Sequence, residues 1–415
     1  MFARFFRPIL QSHRHIWLAF NAHLRRFISD GFSNRYCLGK VATLMPVVII
    51  RTANCKPSDL NGGEPKRRTR KRSMTKVRYE MRLEGKAQHY LDELKERWMV
   101  LHKIPGLFSY QLQKAPRVRQ IPGSSGFFTE LNTDRSTKRR HPQTIENLNP
   151  TFKPKMFNFN KVDPMEVMLR IDDAEGSPEV QMIINKSPIT KYHTLICPEV
   201  EKNHVQRLNR DVLQFCVTFM RNIDDKYMRM GYNSPGALAS VNHLHFHLLQ
   251  MPHSLYVDRV RLEKLAGNYI YRFSRRAPTE GLCFVFGNND SDELVDEKVG
   301  KIYELAMWMC RSNMPHNLFI TQDLRPGKKG DVLVFVFPRS EYCVNKDLAD
   351  FNVGFCELAG YIPLPDPDRM NNITEQEVLF RIRTVTGDAP KDAYQEMIKI
   401  IEGPKEGLWD IPFTM

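Results

Sequence analysis

Apolar and polar positions change period several times along the chain, and each change predicts an element. Leu91, Leu94, Trp98 and Leu101 recur at helical spacing, which predicts a helix over 84–102 lying on the body. Pro105-Gly106 ends it. Short apolar runs at 167–171 (VMLRI), 180–184 (VQMII), 192–196 (YHTLI) and 238–249 (LASVNHLHFHLL) predict strands, with Asn185-Lys186-Ser187-Pro188 as a turn between two of them. Leu208, Val212, Phe215, Phe219 and Ile223 predict a helix over 205–229. Further on, LCFVF re-enters the core and GNNDSDELVDE (287–297) reads as an acidic surface loop. Val299, Ile302, Ala306 and Met309 mark another helix, NLFIT (317–321) and VLVFVF (332–337) are strands, and FCELAG (355–360) follows. Residues 365–415 read as a peripheral helical tail. The expected class is α+β, an antiparallel sheet with packed helices.

The sharpest alternation is His243-Leu244-His245-Phe246-His247, three histidines interleaved with large apolar residues. Period two puts the imidazoles on one face of a strand and Leu244, Phe246 and Leu248 on the other. A solvated face is one reading, although polarity alone does not require three imidazoles. A metal site is another, since histidine is the commonest metal ligand. Alternate residues lie about 6.6 Å apart and the outer pair about 13 Å, so three rings cannot easily converge on a zinc with ~2.0–2.1 Å bonds. The third reading is a nucleophilic imidazole flanked by two that orient substrate and leaving group.

The pattern His-x-His-x-His with apolar x, followed by Leu248-Leu249 and preceded by Asn233-Ser234-Pro235-Gly236 and Ala239-Ser240-Val241-Asn242, resembles the histidine triad superfamily of nucleotide hydrolases and transferases. Further motifs narrow the resemblance: Gly106-Leu107-Phe108-Ser109-Tyr110-Gln111-Leu112, Pro122-Gly123 with Phe127, Leu131-Asn132, Arg139-Arg140 and Phe157-Asn158-Phe159-Asn160-Lys161. They are similar to the animal GDP-D-glucose phosphorylases, relatives of the plant GDP-L-galactose phosphorylases, from about residue 90 to about 380. The resemblance implies a catalytic histidine-triad lobe over 80–260. A second lobe with a helical tail would cover 261–415, built on a histidine-triad-like unit that has lost its histidines. His316 is the only histidine after residue 260, so no chemistry is expected there.

The resemblance also implies site residues. His245 takes the place of the nucleophile that forms a nucleotidyl-enzyme, and His243 helps to orient it. His247 hydrogen-bonds the phosphate or bridging oxygen. Asn233 and Ser240 correspond to phosphate-holding residues, one residue closer together than in the small hydrolases, and Lys161 would neutralise phosphate charge. His193 in KYHTLICP matches a superfamily histidine or is a polar strand residue with a local hydrogen bond. Glu357 meets sugar hydroxyls or is a surface carboxylate. The implied reaction transfers GMP from GDP-D-glucose to inorganic phosphate through a guanylyl-histidine, giving GDP and glucose 1-phosphate, with no metal or cofactor. The third histidine leaves an alternative open. Classical transferases of the superfamily and the plant phosphorylases carry Gln there and the hydrolases His, so a GDP-sugar hydrolase is the second reading. A non-enzymatic nucleotide-binding module is the third.

Charge then changes the picture at one end. Residues 1–79 hold 17 Lys and Arg against three acids and so carry the whole net +14 of the chain, while 80–415 balances at zero. A basic, disordered N-terminal arm is expected, with no overall field on the body to draw nucleic acid. Residues 1–29, rich in Arg and without acids, read either as a mitochondrial presequence or as an extension without an address. The run at 65–72 reads as an import or polyanion-binding patch or as a solvated linker. Eight scattered cysteines without Cys-x-x-Cys suit reduced core thiols, and no apolar stretch reaches the ~18–20 residues of a membrane span. The expected location is cytoplasmic, or mitochondrial if the N-terminus is a presequence.

Overall fold

A computed structural model describes residues 85–171, 179–344 and 351–403. The basic arm, with the presequence reading of 1–29 and the basic run at 65–72, lies outside the described residues. The described chain begins with helix α1 (Ala87–Leu101), strands β1 (Val118–Gln120) and β2 (Phe128–Leu131), and helix α2 (Thr133–Lys138). Then come β3 (Val167–Ile171), β4 (Val180–Ile184), β5 (Thr194–Pro198), α3 (Arg210–Arg221), β6 (Met228–Asn233) and β7 (Phe246–Gln250). The same order of three strands, a helix and two strands recurs as β8 (Leu262–Ala266), β9 (Ile270–Phe273), β10 (Leu282–Phe286), α4 (Asp292–Arg311), β11 (His316–Gln322) and β12 (Val332–Pro338). Helices α5 (Phe355–Ala359), α6 (Pro367–Asn372), α7 (Glu375–Thr386) and α8 (Ala389–Glu402) close it, with β13 (Tyr361–Leu364) between the first two.

Both sets of strands join one ten-stranded sheet in the order β3-β4-β5-β7-β6-β11-β12-β10-β9-β8. Every ladder in it is antiparallel. Reading outward from the β6–β11 pair, the two halves mirror each other. Gly231 lies opposite Phe319 across that junction. Gly231 also faces His247 in β7, and Phe319 faces Phe335 in β12, so Phe335 holds in the second half the place His247 holds in the first. The α+β antiparallel architecture expected from the sequence is the one observed.

Two faces of the sheet are covered differently. Leu244, Phe246 and Leu248 pack with Leu94 and Trp98 of α1, Phe215 and Phe219 of α3, Val299 and Ile302 of α4, and Met397 of α8 in the main core. Leu249, Phe319 and Phe335 belong to a second core on the opposite face, with Phe127 just before β2, Phe355 of α5, Tyr361 of β13 and Val378 of α7. There a small sheet β1-β2-β13 lies against the large one, with β13 parallel to β2. The described part of the tail, residues 365–403, is therefore part of both cores rather than peripheral.

Several boundaries differ from the expectation. The strand read over 238–249 begins only at Phe246, because the backbone before it bonds elsewhere: Leu244 N–H to the His204 carbonyl (2.8 Å) and His245 N–H to the Gln206 side chain (2.9 Å). The helix read over 205–229 occupies only α3, capped by Asn209, whose side chain accepts from Asp211 N–H at 2.7 Å. Residues 228–233 form β6 instead. It is buried along its whole length, and its Arg229 is paired internally with Asp258 at 2.9 Å, so no alternation announces it. The strand read at 192–196 starts at Thr194, after Tyr192 at φ +60°. The acidic segment 287–297 enters α4 at Asp292, behind the N-cap Ser291, where Asp292 and Glu293 suit the positive end of a helix.

Candidate active site

His245, His247, Asn233, Ser240 and Lys161 line a single cavity of about 780 Å³ on the sheet face opposite α3 and α4. His243 is fully buried behind the wall. Its ring is fixed by the Phe159 N–H, which donates to Nδ1 at 3.0 Å, and it stacks on the Phe159 ring at 5.2 Å. Burial pushes its pKa down to about 4. What His243 offers its neighbour is its backbone carbonyl, which lies 2.8 Å from His245 Nδ1. A carbonyl can only accept, so Nδ1 carries the proton and the lone pair of the neutral ring is on Nε2.

The His245 backbone is held by a residue that sequence reasoning passed over. Gln206, fully buried, donates from Nε2 to the carbonyls of Asn233 (2.9 Å) and His245 (3.2 Å). Its Oε1 accepts from His245 N–H at 2.9 Å. One side chain thereby makes with residue 245 the pair of bonds that a neighbouring strand would make, just where β7 has not yet begun. Nothing in the pattern around Gln206 signals this, since the partner is 39 residues away.

The third histidine is set by a relay of fixed donors. Ile189 N–H donates to His193 Nδ1 at 2.9 Å, which leaves the neutral His193 with its proton on Nε2. His193 Nε2 lies 2.9 Å from His247 Nδ1. His247 Nδ1 is then the acceptor, and its proton is on Nε2. His193 is wholly buried and held neutral, its pKa pushed well below the usual histidine value by burial, then by the charge of Arg135 and by His245. One backbone amide thus decides the tautomer of two imidazoles.

The remaining expected residues fall as follows. The Asn233 side-chain oxygen accepts from Asn317 Nδ2 (2.6 Å) and from Phe355 N–H at the start of α5 (3.2 Å), so Nδ2 is the donor it can turn to a ligand. Ser240 lines the cavity while its carbonyl accepts from Gln143 N–H at 3.1 Å. Lys161 is exposed, with Nζ donating to the carbonyls of Lys155 (2.9 Å) and Met156 (2.8 Å). Glu357 lies in the same wall, its Oε2 accepting from Gly354 N–H at 2.8 Å. Phe355 packs its ring 5.1 Å from that of His247. Gly231 makes the room, because a Cβ there would lie 2.1 Å from the Phe355 ring. Among the described residues no group of three or more His, Cys, Asp or Glu side chains is placed to hold a metal ion.

Comparison with known proteins adds to this geometry. Two family models match, "GDPGP1-like, N-terminal domain" over residues 90–249 and "GDPGP1-like, C-terminal domain" over residues 276–402. The chain is 32% identical over 290 residues to GDP-D-glucose phosphorylase 1 of Bos taurus, covering 67% of this chain and 74% of that one. It is 34% identical over 280 residues to the protein of the same name from Danio rerio, covering 66% of this chain and 80% of that one. Among solved structures, yeast Ap4A phosphorylase Apa2 in complex with Ap4A superposes with a TM-score of 0.52 over 72% of this chain and 98% of that one, at 14% identity, a likeness of fold.

Proposed function

The chain belongs to the GDP-D-glucose phosphorylase family, and on that premise we propose that it transfers GMP from GDP-D-glucose to inorganic phosphate with His245 as the nucleophile. The observation that carries the assignment of His245 is its bond to the His243 carbonyl, which commits Nδ1 to donating and places the nucleophilic lone pair on Nε2 in a ring lining the cavity. Nε2 attacks the α-phosphorus. The bond from phosphorus to the bridging oxygen breaks, its electrons leave with glucose 1-phosphate, and a guanylyl-histidine remains. His247, fixed as the Nε2–H tautomer, donates its hydrogen bond to the departing oxygen. Phosphate then attacks the same phosphorus from the vacated side, the nitrogen–phosphorus bond breaks, and GDP is released. Asn233 Nδ2 and Ser240 bind the phosphates. The division at residue 260 assigns the chemistry to the first lobe, with the second lobe supplying Phe355 and Glu357 to the wall. Buried thiols at Cys197, Cys216, Cys283, Cys310 and Cys356 suit a reducing compartment, which supports a cytoplasmic location.

A second reading, a hydrolase, is favoured by the identity of residue 247 alone. One experiment separates the two and tests the nucleophile. Protein incubated with GDP-glucose labelled at the α-phosphate should take up acid-labile, base-stable label, and His245→Ala should not. With millimolar phosphate present, the product should be GDP, with an equal amount of glucose 1-phosphate. Labelling of the Ala variant would remove His245 from its role, and GMP as the main product would make the protein a hydrolase.

A further inference from the structure

The row of histidines has two chemically different ends. Behind His243 and His245 lie Phe157, Phe159, Ile183 and Val241, an apolar wall. From His247 a chain of contacts runs the other way. His193 bonds His247 (2.9 Å), and Asn185, whose side chain lies beside His193, accepts from Ser187 N–H through Oδ1 at 3.0 Å. Arg135 Nη1 in turn donates to the Ser187 carbonyl. At this end the cavity is lined by Arg135 and Arg139, at and just beyond α2.

Neither guanidinium forms an ion pair among the described residues, and the carboxylate whose charge acts on Arg139 is Glu357, in the same cavity wall. Lys186, on the same wall, is paired with Glu166 at 3.1 Å. Arg139 makes no hydrogen bond or ion pair among the described residues, and Arg135 bonds only the Ser187 carbonyl and the Tyr110 hydroxyl, neither of which carries a charge. Burial, and after it the charge of Arg135, push the Arg139 guanidinium down from its usual range. Two partly desolvated cations side by side are an unfavourable arrangement that a bound dianion would reverse, and a guanidinium fork matches phosphate oxygens.

Reaction geometry says which dianion. With the α-phosphorus at His245, the bridging oxygen and the phosphoryl group beyond it must extend toward His247. We propose that Arg135 and Arg139 form an anion subsite that holds the β-phosphate of the nucleotide sugar as it leaves and inorganic phosphate as it attacks. This rests on the transfer reading above. The second step is the reverse of the first with hydrogen in place of the sugar, so one subsite serves both. It supplies a physical preference for phosphate over water as acceptor, since water gains nothing from the two charges.

The subsite predicts a difference between GDP, which carries the β-phosphate, and GMP, which does not. Affinities for both are measured by calorimetry on the full chain carrying His245→Asn, so that no covalent step intervenes, with and without Arg139→Gln or Arg139→Lys. Loss of a charge-assisted contact worth about 1.5–3 kcal/mol should weaken GDP about tenfold or more. GMP should stay within about twofold, and Lys should recover part of the loss by keeping the charge. Unchanged GDP affinity in Arg139→Gln, or GMP weakened as much as GDP, would overturn the subsite. If neither nucleotide binds before Arg139 is changed, the transfer reading itself fails and the subsite falls with it.

Discussion

At the scale of single residues, the site depends on which nitrogen holds each proton. His247 can donate to the leaving oxygen only while Nδ1 accepts, and that depends on the His193 Nε2–H at 2.9 Å. His193→Ala removes this partner without removing a side chain that lines the cavity. Turnover of GDP-glucose should fall about 100-fold, in the range of a misplaced acid–base group, with KM changed far less. His193→Gln, whose amide can still donate, should restore part of the rate. A loss confined to KM, or equal losses in the Ala and Gln variants, would mean that His193 is merely packed there. The triad could be read from the sequence because its period-two alternation is local. His193 was half visible, from its place before an apolar strand. Its function was not, since that depends on Ile189 N–H four residues back and on His247 across the β5–β7 ladder.

At the scale of elements, the β6–β7 pair meets α5 at Gly231. A Cβ there would lie 2.1 Å from the Phe355 ring, which is itself 5.1 Å from His247. Gly231→Ala should therefore displace Phe355 and with it the start of α5 held by Asn233. Overpacking of this kind costs about 1–3 kcal/mol, and turnover should fall with stability. The double variant Gly231→Ala with Phe355→Leu, which frees the space, should recover part of both, read by thermal melts and the phosphorylase assay. No recovery in the double variant would show that the glycine serves some other need. Strong local periods made α1, α4 and β10–β12 visible in the sequence. The short strands β1, β2 and β13 were not visible, since three or four residues carry too little pattern and their partners lie far along the chain. The helix reading over 205–229 ran into the start of β6, because β6 is buried along its whole length and shows no alternation to mark where the strand begins.

For the molecule as a whole, buried titratable groups set the dependence of stability on pH. Burial lowers His193 well below its usual value and brings His243 and His316 to about 4. Each takes up a proton more readily when unfolded, so its contribution is full above pH 6.5 and is lost as pH falls toward about 4. Glu130, buried in contact with the Tyr361 hydroxyl, is raised to about 7 by burial. Its contribution has the opposite sense, present below 4.5 and lost as pH rises through about 7. Between pH 6 and 5 these three histidines, joined by the half-buried His102 and His253 that burial lowers in the same direction, act against Glu130, so unfolding takes up about two protons net. Stability should then drop by about 2–3 kcal/mol per pH unit as the solution is acidified. Urea midpoints measured across that interval should fall steadily, and a flat or rising profile would contradict the buried neutral histidines.

The mirrored halves of the large sheet have one more consequence. Where the first half carries His247, the second carries Phe335, packed among Phe273, Phe319 and Phe337. Two equivalent positions across the centre of the fold thus carry an imidazole on one side and packed phenyl rings on the other. If His245 is the nucleophile, covalent loading by a nucleotide sugar should saturate at one equivalent per polypeptide, and a single chain should give hyperbolic rather than sigmoidal kinetics. The second half contributes to the first, because the β6–β11 seam gives β6 a second hydrogen-bonded neighbour. The strand beside the nucleophile is thereby an interior strand and not an edge free to fray.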